Sequence, residues 1–181
     1  KTMAFGIPAM NMIDTSKKEI QVLILCPTRE LALQVTEELL KVGKYKKGLN
    51  IATIYGGQSY DKQYMALRKN PSIVVGTPGR VIDHLQRGKL KLESVGMFIL
   101  DEADEMLNMG FLEDIETILE TIPEERQTVF FSATMPKSIL DLTKRYQKNP
   151  QFIKVVTKEL TVTNIEQSYY EIKGAAKFEV L

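Results

Sequence analysis

The 181-residue sequence has no tryptophan, one histidine and one cysteine. The lone Cys26 excludes an intramolecular disulfide, and its place in an apolar run marks it as a core thiol. That usage suits a reducing, cytoplasmic setting. One histidine, His84, excludes a His-rich metal site. No apolar run reaches the roughly 18 residues of a membrane span, and no segment reads as a signal peptide. Charge of one sign is also missing: 24 Lys and Arg face 23 Asp and Glu, for a net charge of +1. No global basic field draws in nucleic acid at long range. A nucleic-acid site must then be local, built from amides, hydroxyls and a few arginines. There is no internal repeat or low-complexity segment. What is present, 44% hydrophobic residues, supplies a core for one domain of about 150 residues.

Apolar runs rich in Val and Ile cover 20–26, 50–55, 72–75, 95–100, 127–131 and 152–156. They mostly do not alternate, which suits strands buried on both faces of a parallel sheet. Helix-length segments lie between them at 29–42, 59–69, 79–86, 111–122 and 136–146, with Pro78 and Pro136 suited to a first turn. The alternation predicts a doubly wound, mostly parallel α/β domain. After 156 the pattern changes. Residues 157–163 read as a polar linker, 164–172 alternate like a strand, and 177–181 could begin a helix.

Polar signatures follow four of the runs. Asp101-Glu102-Ala103-Asp104 follows 95–100, and Ser132-Ala133-Thr134 follows 127–131. Pro27-Thr28-Arg29-Glu30-Leu31-Ala32 follows the first run, and Thr77-Pro78-Gly79-Arg80 the third. Taken alone, three acids after a strand are solvated side chains. Together, the four signatures fall on one edge of one sheet, in the crevice where α/β proteins bind ligands. There one acid can hold Mg²⁺ while its neighbour polarises water for attack on a γ-phosphate.

These residues, with Gly56-Gly57, resemble the DEAD-box family of ATP-dependent RNA helicases in motif order. The resemblance covers Lys1 to about Val156 and implies a RecA-like P-loop NTPase fold, with ATP and Mg²⁺ as cofactors. Lys1-Thr2 resemble the end of the family's phosphate loop. Lys1 would then meet the β- and γ-phosphates, and Thr2 and Asp101 would hold Mg²⁺, the latter through water. Glu102 would be the general base. Asp104 would pair with the hydroxyls of Ser132 and Thr134, coupling nucleotide state to domain closure, although those hydroxyls could instead cap the next helix.

RNA would lie on the same edge, at Thr28, Arg29, Gly56, Gly57, Thr77 and Arg80. Such groups suit phosphate and 2′-OH contacts better than base reading, so little sequence preference is expected. Their structural alternatives are a tight turn at Gly56-Gly57 and an ion pair between Arg80 and Asp83. The resemblance makes 1–156 the first RecA-like domain, 157–163 an interdomain linker and 164–181 the start of a second such domain, a further partner alongside RNA. This stretch alone is expected not to turn over ATP, since the loop glycines and most of the second domain are not in it. Two rival functions remain: a non-catalytic RNA- or partner-binding module, and a helicase-like ATPase acting on DNA. Lys41, Lys44, Lys46 and Lys47 read as a solvated face, and Met106, Met109 and Phe111 as core or hinge packing.

Overall fold

The computed structural model describes residues 1–155 together with Ser168 and Tyr169. Two compact units divide the chain, Lys1–Pro150 and Gln151–Leu181. The second falls mostly outside the described residues, as do the expected linker and nearly all of the expected second-domain segment.

Five strands form one sheet: β1 (Val22–Leu25), β2 (Ile51–Ile54), β3 (Ile73–Gly76), β4 (Met97–Leu100) and β5 (Gln127–Phe130). Their order is β2-β3-β1-β4-β5, and every neighbouring pair is parallel. Side chains alternate between two cores, as the pleat demands. Leu23, Leu25, Phe98 and Leu100 enter one core; Val22, Ile24, Met97 and Ile99 enter the other. Burial on both faces explains why these strands read as unbroken apolar runs.

Helices α1 (Thr2–Met12) and α2 (Arg29–Val42) cover one face through Phe5, Ala9, Met10, Ala32, Val35 and Leu39. On the other lie α3 (Tyr60–Leu67), α4 (Pro78–Gln86), α5 (Ala103–Asn108), α6 (Leu112–Thr121) and α7 (Lys137–Tyr146), contributing Leu67, Val81, Met106, Ile115, Ile118 and Leu142 among others. Lys46 of the expected solvated cluster donates instead to the Met10 carbonyl at 2.7 Å, satisfying an end group of α1.

The strands end level. Leu25 pairs with both Gly76 and Leu100, Ile54 with Gly76, and Leu100 with Phe130. Cys26, Tyr55, Thr77, Asp101 and Phe131 therefore form one row just past the carboxyl ends. The chain turns from one side of β1 to the other between β3 and β4, which makes the gap between β1 and β4 the switch point where such sheets bind ligands.

Three expectations change. Residues 151–155 carry no strand. Their β-branched composition gives propensity, but a strand exists only where a ladder partner is available. Helix α5 was not expected, because six residues hold too few apolar positions to show a helical period. Met106 is buried in it as expected, whereas Met109 is half exposed.

Gly76 is where β3 meets its neighbours most tightly. A Cβ there would stand 2.8 Å from Ile54 Cγ1, 2.9 Å from the Ile54 carbonyl oxygen and 2.9 Å from Val81 Cγ2. One of these contacts is backbone and cannot rotate away. Gly76→Ala should lower stability by about 1–3 kcal/mol in urea titrations. An unchanged midpoint would contradict this packing.

Candidate functional site

The switch point carries the acids. Asp101 is 3% exposed, and its Oδ1 is buried with no hydrogen-bond partner among the described residues. Burial raises its pKa, Lys1 opposes the rise, and Glu102 adds to it. A buried, unpartnered carboxylate oxygen is costly unless something compensates it. A divalent cation does so, directly or through bound water, so Asp101 fits Mg²⁺. Among the described residues no three His, Cys, Asp or Glu form a metal cage.

Lys1 caps α1 from the same edge, and Thr2 is that helix's first residue. Phe5, one turn on, packs against Phe131 past the end of β5 at 5.3 Å between ring centroids. Cys26 sits in the row, its thiol pushed up by burial and by the charges of Asp101 and Glu102. It is an inert core thiol, as expected.

Glu102 is the N-cap of α5 with φ 56° and ψ 52°. A non-glycine residue held left-handed costs about 1–3 kcal/mol and persists only where its surroundings impose it. Here the Ala103 N–H donates to the Phe131 carbonyl at 2.9 Å, and the Met106 N–H to the Glu102 carbonyl at 3.1 Å. The strained residue is pinned from both ends.

Asp104 is the opposite of Asp101. Its Oδ2 accepts from the Thr134 N–H and hydroxyl, both at 2.8 Å, while its own N–H donates to Ser132 Oγ at 3.2 Å. Burial works to raise its pKa, but hydrogen bonds from Thr134, Ser132 and the local amides outweigh it and hold the carboxyl at about 2. Ser132 and Thr134 thus bind back to α5. The alternative, that they cap the next helix, is not what forms: the N-cap of α7 is Pro136, with no side-chain cap bond.

The remaining motif residues gather past β1, β2 and β3. Thr28 caps α2, accepting from the Leu31 N–H at 3.3 Å. Arg29 stacks on Tyr55 at 5.1 Å, and its Nη1 lies 4.0 Å from the Cβ position of Gly57. Gly57 has φ +82°, so the tight turn expected of Gly56-Gly57 is real and needs glycine. Gly56 and Gly57 are exposed. Arg80 Nη1 donates to the Gln58 carbonyl at 3.0 Å, and its Nε is 3.7 Å from Asp83. The expected ion pair exists, but the Arg80 side chain is only 11% exposed and is not a free surface group. Thr77 opens α4 without spending its hydroxyl on a cap. Arg29, Gly57 and Arg80 therefore converge on one surface.

A hollow of about 290 Å³ lined by Lys18, Asn70, Lys89, Lys91 and Ser94 sits at the opposite, amino edge. No motif residue lines it. The buried carboxylate oxygen without a partner lies instead at the motif edge.

The DEAD/DEAH box helicase family pattern matches residues 1–142. The chain belongs to that family. It is 53% identical over its whole length to the DEAD-box ATP-dependent RNA helicase CshA of Bacillus cereus and 50% identical to that of Bacillus subtilis. It spans about a third of the length of these curated relatives, 34% and 36%. A DEAD box protein from Methanococcus jannaschii superposes with a TM-score of 0.82 at 48% identity, over 99% of this chain and 47% of that one. The yeast DEAD-box splicing factor Prp28 gives 0.76 at 34% identity, over 81% of this chain and 37% of that one. The doubly wound RecA-like sheet is thus the family's fold.

Sequence reading gave no role in the site to Tyr55, Tyr60, Gln63 or His84, which lie against Arg29 and Arg80. The one available signal was His84 four residues after Arg80, on the same face of a helix.

The bonds to Asp104 give this DEAD/DEAH box helicase domain a pH signature. Its folded pKa of about 2 lies below the unfolded value, so the stabilisation is full above about pH 4 and is lost as pH falls toward 2. Asp104→Asn should cost about 1–2 kcal/mol at pH 7, with the deficit shrinking below pH 4. Urea unfolding at pH 7 and pH 3 measures this, and a pH-independent deficit would refute the assignment.

Proposed function

We propose that the chain is the first RecA-like domain of an ATP-dependent RNA helicase, with ATP chemistry at one half of its carboxyl edge and an RNA-backbone grip at the other. The buried, unpartnered Oδ1 of Asp101 carries this reading. In a pure binding module that oxygen has no use and a clear cost. Residues 1–156 are the domain in this reading, 157–163 the linker and 164–181 the start of a second domain. The lone, buried Cys26 suits the cytoplasm. No helix among the described residues is long and apolar enough to cross a membrane.

Mg²⁺, when bound with ATP, offsets the charge of the β- and γ-phosphates. Asp101 would hold the ion through water, with the Thr2 hydroxyl as a second protein ligand. Lys1 meets the β- and γ-phosphates. Glu102 orients a water and takes its proton as the water oxygen bonds to the γ-phosphorus. The bond from that phosphorus to the bridging oxygen breaks, and ADP leaves. The strained backbone of Glu102 supports this role by fixing where its side chain starts. Asp104 ties the acid loop to Ser132 and Thr134, so a shift at the nucleotide reaches the start of α7.

Thr28, Arg29, Gly56, Gly57, Thr77 and Arg80 form the RNA grip. Guanidinium groups, free amides and a hydroxyl at a helix start recognise phosphate and ribose rather than bases. Binding with little sequence preference follows.

The test uses the full-length protein that carries this chain. Glu102→Gln should lower RNA-stimulated ATP turnover by about 10²-fold or more while ATP-dependent RNA binding survives. Near-normal turnover would remove Glu102 as the base. Stimulation of the unaltered protein by single-stranded DNA as strong as by RNA would favour a DNA-acting ATPase instead.

A further inference from the structure

Two buried polar side chains lie beneath the RNA half of the edge. Gln63 on α3 is 1% exposed and His84 on α4 is 0% exposed. Neither is charged, and neither reaches the surface where RNA would lie. Their bonds nevertheless lead to Arg80 and to the glycine turn.

The amide of Gln63 has one arrangement that satisfies its neighbours. Its Nε2 donates to the Tyr55 carbonyl at 2.8 Å. A carbonyl only accepts, so the NH₂ group must face it, and Oε1 must face the other way. There Oε1 stands 2.8 Å from His84 Nε2 and 3.5 Å from Arg80 Nη1. An acceptor opposite His84 Nε2 requires a proton on that nitrogen. Burial, then the charge of Arg80, keeps the ring neutral. The tautomer is therefore set by Gln63, and Gln63 by Tyr55.

Arg80 is held at Nη1, at Nε and over one face of its guanidinium. Nη1 donates to the Gln58 carbonyl at 3.0 Å, the Tyr60 ring lies 4.2 Å from the central carbon, and Asp83 faces Nε. The Tyr60 hydroxyl donates to the same Asp83 oxygen at 2.6 Å. His84 is wedged edge-on against Tyr60 and Tyr64, with centroids 5.7 and 5.3 Å away. Gln63 thus touches Tyr55 at the start of the turn, while Arg80 touches Gln58 at its end. The Gly56-Gly57 amides lie between these two attachments.

We propose that Gln63 and His84 are positioning residues that lock Arg80 to the Tyr55–Gln58 turn, so that donors past β2 and β3 meet the RNA backbone as one preorganised unit. The inference rests on the reading of Arg80 as an RNA contact. Its energetic sense is that a long side chain fixed before binding loses less freedom when RNA arrives. A purely structural pair would stabilise the α3–α4 packing without controlling Arg80.

The test uses Gln63→Leu and His84→Phe. Phe keeps an aromatic ring between Tyr60 and Tyr64, so it carries the test if the leucine variant fails to fold. The first readout is the Arg80 Nε–Hε signal in nitrogen-15 NMR of the 181-residue chain. It should be shifted by the Tyr60 ring in the native chain and move toward the free-arginine position in either variant, with the sheet amides unchanged. A native-like Arg80 signal in a folded variant overturns the proposal.

The second readout is affinity of the full-length protein for single-stranded oligouridylate with a non-hydrolysable ATP analogue. Gln63→Leu should weaken binding by about 2- to 10-fold. In an Arg80→Ala background it should add nothing further. Losses that add fully would mean that Gln63 acts independently of Arg80, which also overturns the proposal. If Arg80→Ala alone leaves affinity unchanged, the RNA reading of this edge fails, while the NMR result still decides whether Gln63 and His84 hold Arg80.

Discussion

The level carboxyl ends of the parallel strands are the constraint on which the rest depends. Leu25 is paired on one side with Gly76 and on the other with Leu100. Both sheet faces are buried, so no charged group can sit within the strands. Chemistry is therefore confined to the residues just past them, and a common register puts those residues in one row. A slip of one residue in β4 would exchange Phe98 and Leu100 for Met97 and Ile99 on the two faces. It would also move Asp101 off the row. Core packing and site alignment are thus one requirement. Helices α2 and α4 begin from the same row, so their N-terminal amides point toward it.

Within that row two aspartates three residues apart are treated in opposite ways. Asp101 is buried with an oxygen unspent, and burial pushes its pKa up. Asp104 is also buried, yet hydrogen bonds hold its carboxyl at about 2. Opposite shifts in neighbouring carboxylates mark different tasks. Asp104 is a fixed anion that fastens β4 to the segment after β5. Asp101 keeps a buried oxygen that no described residue satisfies. Glu102 joins them through a left-handed backbone that neither neighbour shares.

Much of this was legible in the sequence because the physics is local or periodic. The apolar runs that became β1, β3 and β4 are buried on both faces, and α2 spans the residues that its periodicity indicated. The acids at 101, 102 and 104 stood out because charges directly after a buried strand must lie at its end. The run at 152–155 was misleading because a strand is a relation between two segments, and propensity describes only one. Helix α5 was hidden for a related reason. Its six residues are held by Phe131 and Ser132, which lie in another part of the chain.

The least legible features are neutral polar residues whose meaning is entirely tertiary. Gln63 looks like any helix former on a solvated face, since glutamine is favourable in helices and usually exposed. Only the structure shows it buried, with its carbonyl oxygen between His84 and Arg80. A charged residue announces itself because burying it is expensive; a buried amide is silent until its bonds are counted. Arg80 shows how the two combine. The sequence reveals the guanidinium but leaves its direction undetermined, because arginine has many rotamers. Direction comes from Gln58, Tyr60, Asp83 and Gln63, contributed by the turn after β2 and by α3 and α4. An arginine so constrained would meet a phosphate with its geometry already chosen, which is what would separate a binding edge from a merely basic one.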